Sequence, residues 1–213
     1  MLTTPALVSL ASLMLDFSRV ERVTRHQDGK KIETNSDHTG MLAVIACTIA
    51  EAHPELGLDV GKVSQYVTVH DLPEVRTGDI NTFGISSSPN KAAIRRYKAE
   101  REAFAVQDII REHPQSAWLI RVLREYQEQA ILEARFVCLV DKILPKYTHA
   151  LNKGAALSKM EMLEPRDRVT MKRLKQDHLD QIHELNLKYP EFEVVIQYLR
   201  EAMMLAESVA VLE

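Results

Sequence analysis

A chain of 213 residues with 46% hydrophobic residues can bury one large core, and its net charge of −3 gives no electrostatic footprint for a nucleic-acid polymer. The two cysteines, Cys47 and Cys138, both fall in apolar helical patterns, which is the setting of reduced core thiols rather than of a disulfide. The apolar run Ala6–Leu15 lacks a basic flank, is interrupted by Ser9 and Ser12 and is too short to span a bilayer, so a cytoplasmic protein without membrane contact is expected.

Apolar residues recur mostly at three- and four-residue intervals and the chain contains only 7 glycines, which predicts an all-α fold. A first helix is expected over residues 5–20. The polar stretch Arg25–Lys31 reads as a turn or a short hairpin-like loop. Ser36 or Asp37 can cap a second helix from His38 to about His53, with Met41, Leu42, Val44, Ile45 and Ile49 facing inward. Pro54 and Gly57 end it. A third helix over residues 60–75 buries Val63, Tyr66, Val67 and Val69 and carries the doublet His70-Asp71. After a loop over residues 79–88, Ser88-Pro89 opens a long charged helix through Arg111. His113-Pro114 breaks the chain before a shorter helix with Trp118, Leu119, Val122 and Leu123. The next helix is expected over residues 128–151. Residues 166–187 and 190–211 read as a terminal helical hairpin with alternating-sign charges and a stripe of Val194, Val195, Tyr198, Leu199, Met203 and Leu205. The expected organisation is one domain over residues 1–152. A helical extension, 153–213, packs on that domain or forms a subunit interface.

The chemistry concentrates at His70-Asp71. An imidazole and a carboxylate side by side at the end of an apolar helical run are costly to bury unless a cation receives them, and a divalent metal is the usual receiver. Asp141 follows five residues without a strong hydrogen-bonding side chain; unless it pairs with Arg135 or Lys142 or faces solvent, a carboxylate on that stripe needs a metal. His38 opens its helix directly after Ser36-Asp37. Two imidazoles and two carboxylates suit one borderline or hard divalent ion such as Mn, Fe, Co, Ni, Zn or Mg, with room for exchangeable water. Glu74 lies four residues after His70, so both side chains are expected to project from the same helical face, one turn apart. That would put a carboxylate beside the activated water, to orient or deprotonate it or to protonate the leaving oxygen. The six other histidines, His26, His53, His113, His149, His178 and His183, need only surface or helix-end roles.

The set His38…His70-Asp71…Asp141 resembles the ligand pattern of the HD-domain metal-dependent phosphohydrolases. The extended run His70-Asp71-Leu72-Pro73-Glu74-Val75-Arg76-Thr77-Gly78-Asp79 is similar to the bacterial 5′-deoxynucleotidase branch and its eukaryotic relatives. So are the pair Asp141-Lys142 and the helix pattern Lys91, Arg95, Arg96, Glu100, Ala103. The similarity spans about residues 10–150. It implies an HD-domain helical bundle with one divalent metal held by His38, His70, Asp71 and Asp141, and with Glu74 in catalysis. It also implies Asp79, after Thr77-Gly78, at the sugar, Arg19 at the substrate phosphate, and a homodimer. The branch's Arg-Trp pair is Arg19-Val20 here, and the stretch from Arg25 to Ser36 is longer than the branch's connection; Arg22 and Arg25 are alternative phosphate contacts. The activity implied is release of phosphate from deoxynucleoside 5′-monophosphates. A deoxynucleoside triphosphate triphosphohydrolase is the alternative, with Lys91, Arg95, Arg96 and Lys142 around the phosphates. A non-catalytic nucleotide-binding regulatory module is the alternative of another class.

Overall fold

The structure, a computed structural model, describes residues 2–80, 88–157 and 170–211. Helix α1 (Thr4–Phe17) is capped by the Thr3 hydroxyl, which accepts from the Ala6 N–H, and has Pro5 in its first turn. It ends three residues before the expected boundary because the chain turns into a two-stranded hairpin, β1 (Glu21–Arg25) and β2 (Ile32–Thr34). The hairpin-like loop expected at residues 25–31 is its connection. Asp28 Oδ1 accepts from the N–H groups of Lys30 and Lys31, and Gly29 takes φ +66°, where a Cβ would meet the Ala155 Cβ at 2.9 Å.

Helix α2 (Asn35–Ala52) starts earlier than expected. Its cap is Thr34, whose hydroxyl accepts from the Asp37 N–H while the Asp37 carboxylate accepts from the Thr34 N–H, a reciprocal capping box. His38 therefore lies inside the helix rather than at its mouth. The buried stripe is Asn35, His38, Leu42, Ala46, Ile49 and Ala50. Val44, expected to face inward, is 69% exposed, because it sits about 200° around the helix from Leu42.

The chain divides into two compact units. The first comprises residues 1–21, 34–80 and 95–138. It contains α1, α2, α3 (Val60–Val69), α4 (Glu74–Thr77), α5 (Lys91–Glu112) from Arg95, α6 (Ala117–Glu128) and the first seven residues of α7 (Leu132–Val140). Helix α3 packs on both α2 and α6, burying Val63, Tyr66, Val67 and Val69 with Leu119, Val122 and Leu123, while Trp118 is 45% exposed and donates to Gln65 Oε1. The second unit comprises residues 22–33, 81–94 and 139–213. In it α10 (Glu193–Val209) packs on α8 (Leu144–Leu151) and α9 (Met171–Lys188). The terminal hairpin is thus α9 and α10. The expected start at Arg166 lies outside the described residues, as does most of the loop at residues 79–88.

The apolar face of α10 is Val195, Ile196, Leu199, Ala202, Met203 and Ala206; Leu205, expected on the stripe, is 50% exposed. His113 and His149 are buried but lie at the ends of α5 and α8, whereas His178, buried in the middle of α9, departs from the expected surface or helix-end role. No helix among the described residues is long and apolar enough to cross a membrane.

Candidate metal centre

Two helix breaks build the site. The third helix stops at Val69, and residues 70–73 form a turn before α4 starts at Glu74. The expected helix over residues 128–151 likewise stops at Val140, turns through residues 141–143 and resumes as α8 at Leu144. Each break has the same cause. A proline ring clashes with the carbonyl four residues earlier and supplies no N–H, so Pro73 leaves the carbonyl of Val69, the last residue of α3, without a helical partner, and Pro145 does the same to Asp141, the residue after α7. In both turns the backbone tightens to three-residue bonds: Leu72 N–H to Val69 O, Glu74 N–H to Asp71 O, Lys142 N–H to Leu139 O and Ile143 N–H to Val140 O. His70, Asp71 and Asp141 are the residues in these tightened turns.

His38, His70, Asp71 and Asp141 each offer one ligand atom, and these atoms all lie within 4.8 Å of one another. His38 comes from the buried face of α2, and Asp141 directly follows α7. The His38 and His70 rings are tilted 33° with centroids 5.4 Å apart. His70 Nδ1 lies 2.8 Å from the Val67 carbonyl oxygen, to which its N–H donates, so Nε2 presents its lone pair in the neutral ring. That nitrogen is 3.0 Å from Asp71 Oδ2, and His38 Nε2 is 3.9 Å from the same oxygen. A lone pair and a carboxylate oxygen this close repel unless a proton or a cation lies with them. The mixed nitrogen and oxygen donor set fits a divalent ion. Asp141 Oδ2 is also 2.5 Å from Lys142 Nζ, so the ion pair and the ligand cluster weighed for this residue coexist.

Around the cluster, Tyr126 sets its ring edge-on to His70 at 6.4 Å and lies 6.3 Å from the Tyr66 ring. The Tyr66 hydroxyl donates to Glu125 Oε2 at 3.0 Å; burial first and this bond second push its pKa up to about 12, keeping it a neutral phenol.

Glu74 is only 2% exposed. It does not share a continuous helix face with His70, because the turn at residues 70–73 intervenes. Its carboxylate is set instead by two residues that sequence reasoning missed. Asn35 Nδ2 donates to Glu74 Oε2 at 3.0 Å, and Lys98 Nζ lies 3.7 Å from Glu74 Oε1. Asn35 carried a signal: it lies one turn before His38, on the face that α2 buries. Lys98 carried none beyond its place in a charged helix.

The expected substrate contacts are dispersed. Arg19 follows α1 with its side chain 78% exposed and paired to Asp16 at 3.4 Å. Arg22 pairs with Glu33 at 3.9 Å, and Arg25 donates to the Lys30 carbonyl. Thr77 and Asp79 are half-buried around Gly78, whose φ of +68° closes α4. Lys91 pairs with Glu184 at 2.7 Å, Arg95 is exposed, and Arg96 is exposed beside Glu100. Lys142 pairs with Asp141 of the four-residue cluster.

The chain resembles two solved structures in fold. One, described as a predicted metal-dependent phosphohydrolase from Magnetospirillum magnetotacticum MS-1, is 19% identical over 97% of each chain, with a TM-score of 0.68. The other, a conserved hypothetical protein from Pyrococcus furiosus, is 20% identical over 91% of this chain and 99% of its own, with a TM-score of 0.55. No curated protein matches the sequence. The match to the HD domain covers residues 17–184, a span that takes in all four clustered ligands and Glu74, so the chain belongs to the HD domain family.

Proposed function

We propose that this protein is a divalent-metal-dependent phosphohydrolase that releases phosphate from deoxynucleoside 5′-monophosphates. The observation that carries the reading is the convergence of His38, His70, Asp71 and Asp141 within 4.8 Å, with the buried carboxylate of Glu74 beginning three residues after Asp71. The description of the Magnetospirillum protein supports the reaction class. The Thr77-Gly78-Asp79 run and Arg19 support the nucleotide. His38, His70, Asp71 and Asp141 would hold a divalent ion, whose chemistry there would be to activate a water and to neutralise charge on a phosphoryl oxygen. Glu74 orients that water and takes its proton, then returns it to the 5′ oxygen as the P–O bond breaks. Inorganic phosphate and a deoxynucleoside leave. Asp79 contacts the sugar and Arg19 the phosphate. The homodimer implied by the family resemblance belongs to the same proposal.

Product analysis of the metal-reconstituted chain against dNMPs, dNTPs and their ribose counterparts tests this. Phosphate from dNMPs is the expected result. Triphosphate from dNTPs would move the protein to the triphosphohydrolases. Silence on the whole panel with metal demonstrably bound would leave a regulatory module.

A further inference from the structure

Glu74 is a buried carboxylate, and such a group is stable only where donors or cations replace its water. Asn35 and Lys98 do so from two different helices of the first unit. The Asn35 side chain is fully buried and gives one amide N–H to Oε2 at 3.0 Å. The Lys98 ammonium stands 3.7 Å from Oε1 and is itself tied to Glu102 on its own helix at 3.3 Å. Each carboxylate oxygen is therefore addressed by a different element, α2 for one and α5 for the other. Two contacts at two oxygens fix rotation about the last side-chain bond, which a single contact would leave broad. Asn35 also lies one turn before the ligand His38 on α2, so the same helix sets the register of a metal ligand and the orientation of Glu74.

Resting on the phosphohydrolase reading, we propose that Asn35 and Lys98 are the positioning residues of Glu74, holding its carboxylate in the one orientation that serves the attacking water. Neither touches the reacting atoms; both act through Glu74. Asn35→Asp preserves size but turns a carboxylate oxygen toward Glu74 in place of a donor. Lys98→Met keeps the stem and removes the charge, and Lys98→Arg restores a cation.

The test uses full-length, manganese-reconstituted protein on the best dNMP. Asn35→Asp and Lys98→Met are each expected to lower kcat by about 10- to 100-fold, the scale of a misplaced catalytic group. KM is expected to stay within about twofold, since ground-state binding is untouched. Bound manganese per chain is unchanged, and Lys98→Arg recovers most of the loss. Full kcat in both variants, or a loss that tracks loss of manganese, overturns the proposal. If the wild-type chain turns over nothing on the panel, the phosphohydrolase reading fails by itself, and thermal unfolding of Asn35→Ala, Glu74→Ala and their combination still decides the clamp. A double variant no less stable than the worse single variant supports the coupling. Additive losses refute it.

Discussion

Pro73 and Pro145 do more for this site than any ligand does alone. Each forces a turn at the end of an apolar helix, and a turn is where a short polar side chain can leave the helical stripe and still be half-buried. The signal was present in the sequence, since a proline leaves the carbonyl four residues before it without a helical partner, Val69 for Pro73 and Asp141 for Pro145. Apolar periodicity simply ran through it. The reading of Glu74 as a same-face neighbour of His70 failed for this reason, although the residue itself was legible. Its chemistry has a direct consequence. Glu74→Gln keeps the Asn35 donor satisfied by the amide oxygen but removes the base, so kcat on a dNMP should fall by about 10²- to 10⁴-fold. Bound metal should be retained. Equal loss of metal and activity would mean that Glu74 serves the ligand shell instead. The buried stripe of α2 can be checked in the same way. Leu42 is fully buried and Val44 is 69% exposed. Leu42→Ala should cost about 2–5 kcal/mol in denaturant unfolding and Val44→Ala less than about 0.5 kcal/mol.

At the level of elements, α8, α9 and α10 meet around polar groups that periodicity could not reveal. Lys146 and His149 come from α8, Asp177 and His178 from α9, and Glu207 from α10. His178 looks like an unremarkable helix histidine in sequence, because its partners Lys146, His149 and Glu207 lie about thirty residues away; His149 has its cationic neighbour, Lys146, on its own helix, and only its burial was hidden. His178 donates its Nδ1–H to Glu207 Oε1 at 2.6 Å. Burial, with the Lys146 ammonium second, pushes His149 down to about 3. The same two causes, with His149 third, push His178 down to about 2. Lys146 is itself pushed down to about 8 by burial, against the pull of Asp177. Unfolded histidine titrates near 6.5, so below that pH the unfolded chain takes up protons that the folded chain refuses. Stability is therefore lost as pH falls from about 6.5 toward 3, with a slope approaching about 1.4 kcal/mol per pH unit for each histidine. Lys146 acts in the same sense at higher pH, adding stability as pH rises from about 8 to about 10.5. Thermal midpoints at pH 7, 6, 5 and 4 should drop progressively. His149→Gln/His178→Gln, which keeps a donor for Glu207 but cannot titrate, should flatten that profile. An unchanged profile would place the acid sensitivity elsewhere.

Over the whole molecule, the all-α fold, most helix positions and the four clustered ligands follow from helical periodicity and from residue types that are costly to bury. The expected substrate residues rest on the family resemblance instead. Arg19, Arg95 and Arg96 are exposed, and charged side chains on helix surfaces look alike in sequence whether or not a ligand meets them. The ligand cluster is thus the firmer basis for a prediction that needs no substrate. Four candidate ligands drawn from residues 38 to 141 come together only when the chain is folded, so a divalent ion held by them would bind the native state far better than the unfolded one. Its effect on stability is RT ln(1 + [L]/Kd), about 2.7 kcal/mol at a hundredfold excess over Kd. For a chain of this size that corresponds to a rise in Tm of about 5–10 °C. Added Mn²⁺ should produce a shift of that order in chelator-treated protein, saturating at one ion per chain, and EDTA should reverse it. Asp141→Asn removes one anionic ligand and should reduce the shift sharply, whereas Arg96→Ala should leave it intact. A shift that survives loss of Asp141, or that Arg96→Ala abolishes, would place the ion outside the four-residue cluster and remove the foundation of the phosphohydrolase reading.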